Sequence, residues 1–202
     1  MAGKRILAFD FGASSGRAIL ANYEDGKIRM EEIHRFSNDP VTICGTFYWD
    51  ILRLFFEIKQ GISKAVHQGG FDAIGIDTWG VDFGLLDKKG RLLNNPVHYR
   101  DTRTTGIMEK VFEKVPQEEL YGETGIQLMR INTIFQLYSL VLNEPETLAQ
   151  ADKLLLIPDL FAYLLTGEQR AEYTEVSTTQ MLNPRTGDWH YELLEKLGIP
   201  TR

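Results

Sequence analysis

One cysteine stands among 202 residues. Cys44 alone closes no intramolecular disulfide and builds no cysteine-rich zinc site, which points to an intracellular protein held together by a packed core. The four histidines, His34, His67, His98 and His190, lie far apart and show no HxH or HExxH spacing, which argues against a metal centre of that kind. No stretch approaches the roughly 18 apolar residues of a membrane span. The apolar run at the start is broken by Asp10, too soon for a secretory leader. Positive charge is also scarce, with 22 Lys and Arg against 28 Asp and Glu for a net charge of −6. This balance excludes nucleic acid as the principal partner, because there is no broad attraction to a polyphosphate backbone, while a small anion can still bind locally. The expectation is a cytoplasmic protein without a membrane segment.

What remains is an ordinary globular composition, 43% hydrophobic and 25% charged. "RILAFDF" is a short apolar run suited to a buried strand, "RAILANYE" supplies a second that ends at the turn "DG", and "KIRMEEIHRF" alternates as a third. Consecutive strands with short turns predict an antiparallel meander. From Asp50 as N-cap, Ile51, Leu54, Phe55, Ile58, Ile62 and Val66 recur at helical spacing until Gly69-Gly70. "DAIGID" and "VDFGLLD" predict a fourth and a fifth strand, and an extended piece then runs to about Tyr99. The second half reads as mostly helical: "RTTGIMEKVFEKV", "TIFQLYSLVLNE", a short helix from Pro145, "PDLFAYLLTG" and "YELLEKL". The order predicts one α/β unit over residues 1–202, with a mixed sheet and a helical extension.

Two stretches are dense in chemistry. In "DFGASSG" the glycines and small residues let backbone N–H groups and the Ser14 and Ser15 hydroxyls approach an anion, and Arg17 adds charge. Asp10, at the exit of a buried strand, is placed to hold Mg²⁺ directly or through water. The same stretch reads equally as a tight hairpin. In "IGIDTWGVDFGLLD", Asp77 and Asp82 bracket Trp79 and Gly80, offering a polyol an aromatic wall, a bare backbone edge and carboxylates to accept its hydroxyls. The plain reading is a turn with solvated aspartates, and a glycosidase-type carboxylate pair ranks third. "YRDTRT" reads as a helix start capped by Asp101 or Thr102, with Arg100 and Arg103 at the surface or in ion pairs. Asn132 and Thr133 read first as capping residues, with a ligand contact as the other option.

"FDFGASSGRAIL", "EIHRFSN", "YWDI", "IGIDTWGVDFGLLD", "YRDTRT", "LLLIPDLFAYLLTG" and "EYTEVSTTQML", in this order, resemble the first half of the FGGY carbohydrate kinases. The likeness spans nearly the whole chain. "GASSGR" together with "DTWGVDF" is similar to the branch that acts on L-rhamnulose, whereas other members commonly have Thr where Ala13 stands. The resemblance implies an actin-like, ribonuclease H-like fold and transfer of the ATP γ-phosphoryl group to the 1-hydroxyl of L-rhamnulose. It implies that Ala13, Ser14, Ser15, Gly16 and Arg17 contact phosphate, that Asp10 lies near Mg²⁺, and that Gly80 contacts the sugar, with Trp79 and Asp82 beside it. In the family, the aspartate that takes the proton from the sugar hydroxyl, a sugar-binding histidine and the adenine-binding loops belong to a second actin-like domain. That domain would begin where this chain reaches "GIPTR". The expectation is therefore an amino-terminal domain holding no general base and showing negligible turnover alone. The competing expectation is a non-catalytic actin-like module that binds sugar or nucleotide.

Overall fold

A computed structural model describes residues 3–201; Met1 and Ala2 of the basic start, and Arg202 of the closing "GIPTR", lie outside the described residues. Strict alternation makes β1 (Lys4–Phe11) bury Leu7, Phe9 and Phe11 on one face. β2 (Ser15–Glu24) returns antiparallel, and β3 (Lys27–Ser37) follows through Asp25 and Gly26, both at positive φ (48° and 75°) as a two-residue hairpin turn requires. A small hairpin that the sequence reading did not foresee comes next, β4 (Val41–Ile43) and β5 (Thr46–Tyr48), joined through Cys44 and Gly45.

Helix α1 (Ile51–His67) starts where expected, with the Asp50 carboxylate accepting from the Arg53 N–H at 3.0 Å. Its buried face is Ile51, Leu54, Ile58, Gly61 and Ala65, so the stripe runs into Ala65, and Val66 points outward. The crossover delivers β6 (Ala73–Asp77) parallel to β1, giving the four-stranded order β3-β2-β1-β6. The expected mixed sheet with an antiparallel meander is present.

The fifth strand differs from its expectation. β7 (Phe83–Leu86) starts only after Val81 has turned to φ 66°, and it leaves the main sheet. The predicted helix over "RTTGIMEKVFEKV" is broken: a single 3₁₀ turn, Thr102–Thr104, ends before Gly106 at φ 72°, and α2 covers Ile107–Phe112. After α3 (Gln117–Thr124), α4 (Thr133–Asn143) and α5 (Pro145–Gln150), a second correction applies. The run "KLLL", which the sequence reading of a mostly helical second half assigned to no element, is β8 (Lys153–Leu156), antiparallel to β7. A four-residue apolar run carries no period that separates strand from helix, and only the edge of β7 decides it. α6 (Ile157–Thr166), α7 (Tyr173–Ser177), the short pair β9 (Leu182–Asn183) and β10 (Asp188–Trp189), and α8 (Tyr191–Leu197) complete the described residues.

Two cores result. One packs the sheet against α1 and α6, with Phe161 stacked on Phe11 at 5.1 Å; the other joins α2 to α5 with α8. A polar seam fastens α1 to the edge strand β3: Glu57, 4% exposed, receives His34 Nε2 at 2.6 Å and Arg53 Nε at 2.7 Å, and Lys64 reaches His34 Nδ1 at 2.8 Å. Burial pushes the Glu57 carboxyl up, but the bonds from His34 and Arg53 outweigh it and hold the pKa below the ordinary value. Glu57→Ala is therefore expected to destabilise the chain by about 2 kcal/mol at neutral pH, since it leaves His34 and Arg53 without their acceptor. The loss should shrink as the pH falls through the lowered Glu57 pKa; urea unfolding at neutral and acid pH measures both.

Candidate functional site

Strands β1 and β6 run parallel in register, Asp10 beside Asp77, so the segments that follow them leave the sheet at the same edge. In open α/β sheets ligands sit outside the carboxyl ends of parallel strands. Here "GASS" follows one strand and "TWGVD" the other. Across β2 and β3 the row continues as Arg17 and Arg35.

The first segment is both a hairpin and a set of free donors. Gly12 N–H donates to Ser15 O at 2.9 Å, closing the turn. Asn38, 2% exposed, ties down two carbonyls, its backbone N–H reaching Ser14 O at 3.0 Å and its Nδ2 reaching Gly12 O at 2.9 Å. With the carbonyls held from below, the Ala13 and Ser14 N–H groups donate to no protein acceptor among the described residues, and both residues are exposed. Gly16 has a different reason to be glycine: a Cβ there would stand 2.3 Å from the Phe36 ring. Arg17 turns back along the sheet and gives Nε and one terminal nitrogen to Asp10 Oδ2 at 2.9 and 2.7 Å, with both side chains 44% exposed. Asp10, the expected Mg²⁺ ligand, thus sits in an exposed ion pair with the expected phosphate-binding arginine. Among the described residues no group of three or more metal-ligating side chains converges.

The second segment is built around a buried carboxylate. Asp82 has 0% exposure; its Oδ2 accepts from Trp49 Nε1 at 2.6 Å, Trp79 Nε1 at 3.1 Å and Tyr99 N–H at 3.1 Å, and its Oδ1 accepts from Gln136 Nε2 at 2.8 Å. Burial pushes its pKa up to about 6 against the pull of these donors, so the group is ionised at neutral pH. The solvated-aspartate reading fails for Asp82 and stands for the exposed Asp77. Direct acceptance of a polyol hydroxyl by Asp82 does not fit either, because both oxygens are engaged and covered. Its effect is on shape: it holds the Trp49 and Trp79 rings stacked at 3.9 Å, with the His98 ring on the other side of Trp49, also at 3.9 Å. Burial, with Arg100 nearby, lowers the His98 pKa to about 4, so it stacks as a neutral ring.

Between Trp79 and Asp82 the backbone is inverted. Asp82 N–H donates to Gly80 O at 2.9 Å around Val81 at φ 66°, a three-residue turn of the rarer hand and, for a β-branched residue, a strain of about 1–3 kcal/mol. Thr133 Oγ1 holds the Val81 carbonyl at 2.7 Å, and a Cβ on Gly80 would meet Thr178 Oγ1 at 2.9 Å. Asn132 makes no side-chain cap; its amide bridges Gln127 O and Gln180 Oε1, both at 2.8 Å. Asp101 does cap the 3₁₀ turn, accepting from Arg103 N–H at 2.7 Å. Arg103, expected at the surface or in an ion pair, is partly buried and gives a terminal nitrogen to Gln136 Oε1 at 2.5 Å; burial lowers its pKa.

Sequence reasoning gave no role to Asn38, Trp49, Gln136 or Thr178, although Asn38, Trp49 and Thr178 lie inside the motifs "EIHRFSN", "YWDI" and "EYTEVSTTQML". The one local signal is Gln136 inside the otherwise apolar "TIFQLYSL". The two segments form an open edge, and hollows lie elsewhere on the surface: one lined by Tyr48, Phe83, Arg103 and Glu144, and another of about 390 Å³ lined by Leu137, Met181, Trp189 and Leu194.

Residues 5–202 match the family described as "FGGY family of carbohydrate kinases, N-terminal domain". The chain belongs to the FGGY family. Among curated relatives, it is 46% identical over 194 residues to a rhamnulokinase of Oceanobacillus iheyensis, covering 96% of this chain and 41% of the relative. It is 45% identical over 197 residues to a rhamnulokinase of Bacteroides thetaiotaomicron, covering 97% and 41%. The chain thus spans about two fifths of the length of these FGGY proteins. Solved structures of a gluconate kinase and a ligand-bound xylulose kinase, both from Lactobacillus acidophilus, superpose with TM-scores of 0.87 and 0.86 at 23% identity, each covering 98% of this chain and 40% of theirs. The fold is the actin-like, ribonuclease H-like fold of FGGY sugar kinases. No helix of the described residues is long and apolar enough to cross a membrane.

The raised Asp82 pKa has a signed consequence. Native protein keeps the Asp82 proton between pH 3.8 and about 6 where unfolded protein has lost it, so this group's contribution is full below pH 3.8 and lost as the pH rises through 6. The loss is on the order of 3 kcal/mol at most. Asp82→Asn should flatten that part of the pH dependence; the wild-type-minus-variant difference in urea midpoint between pH 4 and pH 7 measures it, and parallel profiles would refute it.

Proposed function

We propose that this chain is the amino-terminal domain, residues 1–202, of a cytoplasmic ATP-dependent kinase that phosphorylates the 1-hydroxyl of L-rhamnulose. The observation that carries the reading is the parallel register of Asp10 with Asp77. It sets a loop of unpaired N–H groups and a tryptophan-walled turn at one sheet edge, the separation of tasks a phosphoryl-transfer site needs. The substrate rests on the rhamnulokinases at 45–46% identity.

The donor set fits a nucleotide phosphate. Ala13 and Ser14 would offer backbone N–H groups, Ser14 and Ser15 their hydroxyls, and Arg17 its guanidinium, while Gly16 lets the strand pass over Phe36. Mg²⁺ held by Asp10, directly or through water, would neutralise charge on the phosphates of ATP. For that, the Asp10–Arg17 pair must exchange partners, Arg17 turning to the phosphate; an exposed pair of this kind resists by no more than about 1 kcal/mol. Trp79 and Gly80 would face the sugar, shaped from behind by Asp82.

No residue of the open edge is placed as a general base in this reading. The base, the adenine-binding loops and the opposite wall of the cleft are assigned to the part of the relatives' length that this chain does not span.

In a coupled assay with ATP, Mg²⁺ and L-rhamnulose, the 202-residue chain is expected to show no turnover above background. A protein of the relatives' length that carries these residues should be active, and Asp10→Asn in it should lower kcat at least about a hundredfold with unchanged circular dichroism. Robust turnover by the 202-residue chain would overturn the division of labour, and an active Asp10→Asn variant would remove Asp10 from the mechanism.

A further inference from the structure

The inverted peptide at Val81 is held from two sides that differ in kind. On one side, Thr133 and Gln136 are both fully buried on α4: Thr133 Oγ1 donates to the Val81 carbonyl at 2.7 Å, and Gln136 Nε2, whose shorter bonds go to Asp82 Oδ1 and Ile131 O at 2.8 Å, stands 3.3 Å from the same oxygen. These belong to the fixed core. On the other side the Val81 N–H has a single partner, Thr178 Oγ1, at 3.2 Å. That hydroxyl donates its own hydrogen to Glu175 O at 2.8 Å, which fixes its lone pairs toward Val81. Thr178 also fills the space a side chain on Gly80 would need, with Oγ1, Cγ2 and Cβ at 2.9, 3.1 and 3.2 Å from the position of a Cβ there. One residue therefore both binds the Val81 N–H and packs against Gly80.

Its anchoring is independent of the tryptophan cluster. Thr178 follows the five-residue helix α7, whose first turn is capped by Glu172 at Glu175 N–H, 3.0 Å. Glu172 N–H is in turn held by Asp159 at the start of α6, at 3.2 and 3.3 Å. One residue further on, Thr179 O accepts from Ile134 N–H at 3.1 Å, pinning the strap to α4. The Thr178 hydroxyl is thus delivered from a segment nearly 100 residues away in the chain, and nothing else in the described residues accepts from Val81 N–H.

We propose that Thr178 is a positioning residue for the sugar side of the site: its hydroxyl locks the Val81 peptide in the inverted form, and that form presents Trp79 and Gly80 to a polyol. The proposal rests on the reading of Trp79 and Gly80 as the polyol contact. It does not touch the phosphate loop, so the two halves of the edge should respond differently to its loss.

Two substitutions separate the hydroxyl from the shape. Thr178→Val keeps the branched volume against Gly80 but cannot accept from Val81 N–H, whereas Thr178→Ser keeps the hydroxyl. In the ligand-free 202-residue chain, amide hydrogen exchange at Val81, read by nuclear magnetic resonance, should speed up about tenfold in Thr178→Val and stay within about threefold of wild type in Thr178→Ser. In a protein of the relatives' length that carries these residues, L-rhamnulose should bind about tenfold more weakly to Thr178→Val by isothermal titration calorimetry, with Mg·ADP affinity unchanged within about twofold. Thr178→Ser should restore the sugar affinity. Unchanged Val81 exchange in Thr178→Val, equal losses in the two variants, or parallel loss of sugar and nucleotide binding would each overturn the assignment of Thr178. Failure of that longer protein to bind L-rhamnulose while Thr178→Val still releases the Val81 amide in the 202-residue chain would instead overturn the polyol reading, and with it the sugar-side role.

Discussion

Everything at the open edge depends on the parallel pairing of β1 with β6. A parallel neighbour cannot be reached by a tight turn; it needs a crossover, and α1 supplies it by laying Ile51, Leu54, Ile58 and Ala65 on the face of the sheet that carries Leu7 and Phe9. The register that results puts Asp10 next to Asp77, and both strands point the same way. Two loops whose residues are some 65 positions apart then leave the sheet side by side. A shift of one residue would send Asp10 into the core in place of Phe9 and Phe11 and turn those rings to solvent, so burial of the aromatics and placement of the carboxylate are the same constraint.

Beneath one of these loops lies a fully buried charge. Asp82 is tolerated because four donors, from Trp49, Trp79, Tyr99 and Gln136, surround it, and because Arg103 approaches through Gln136. The donors come from four separate stretches of chain. The carboxylate thereby gathers both tryptophan rings and the stacked His98 into one wall, and the strained turn at Val81 follows from the need to bring its backbone back to that point. The polar interior is a scaffold for an aromatic surface; the loop of Gly12 to Ser15, by contrast, keeps the Ala13 and Ser14 N–H groups unpaired and exposed, with its Gly12 and Ser14 carbonyls tied to Asn38.

Much of this was legible in the chain. Alternation in "RILAFDF", the Asp25-Gly26 turn and the stripe from Asp50 specify the meander and the crossover helix locally, and small residues behind Asp10 specify a loop open to an anion. Less legible were features whose cause lies across the fold. The run "KLLL" becomes a strand because β7 offers an edge; Arg103 is drawn inward, partly buried, because Gln136 on α4 accepts from it; Asp82 changes from an apparent surface aspartate to a buried hub because Trp49 and Gln136 arrive from elsewhere.

The sequence by itself determined the strands, the main helices and the residue types at the two motifs, because these follow from periodicities of two and 3.6 and from backbone freedoms that act within a few residues. Only the tertiary structure decided which motif faces which, that Asp10 stands in an ion pair with Arg17, and that Asp82 shapes the wall from behind instead of meeting a ligand. Those outcomes depend on desolvation and on hydrogen bonds between distant segments, and no local pattern encodes a group's surroundings when the surroundings are supplied by other parts of the chain.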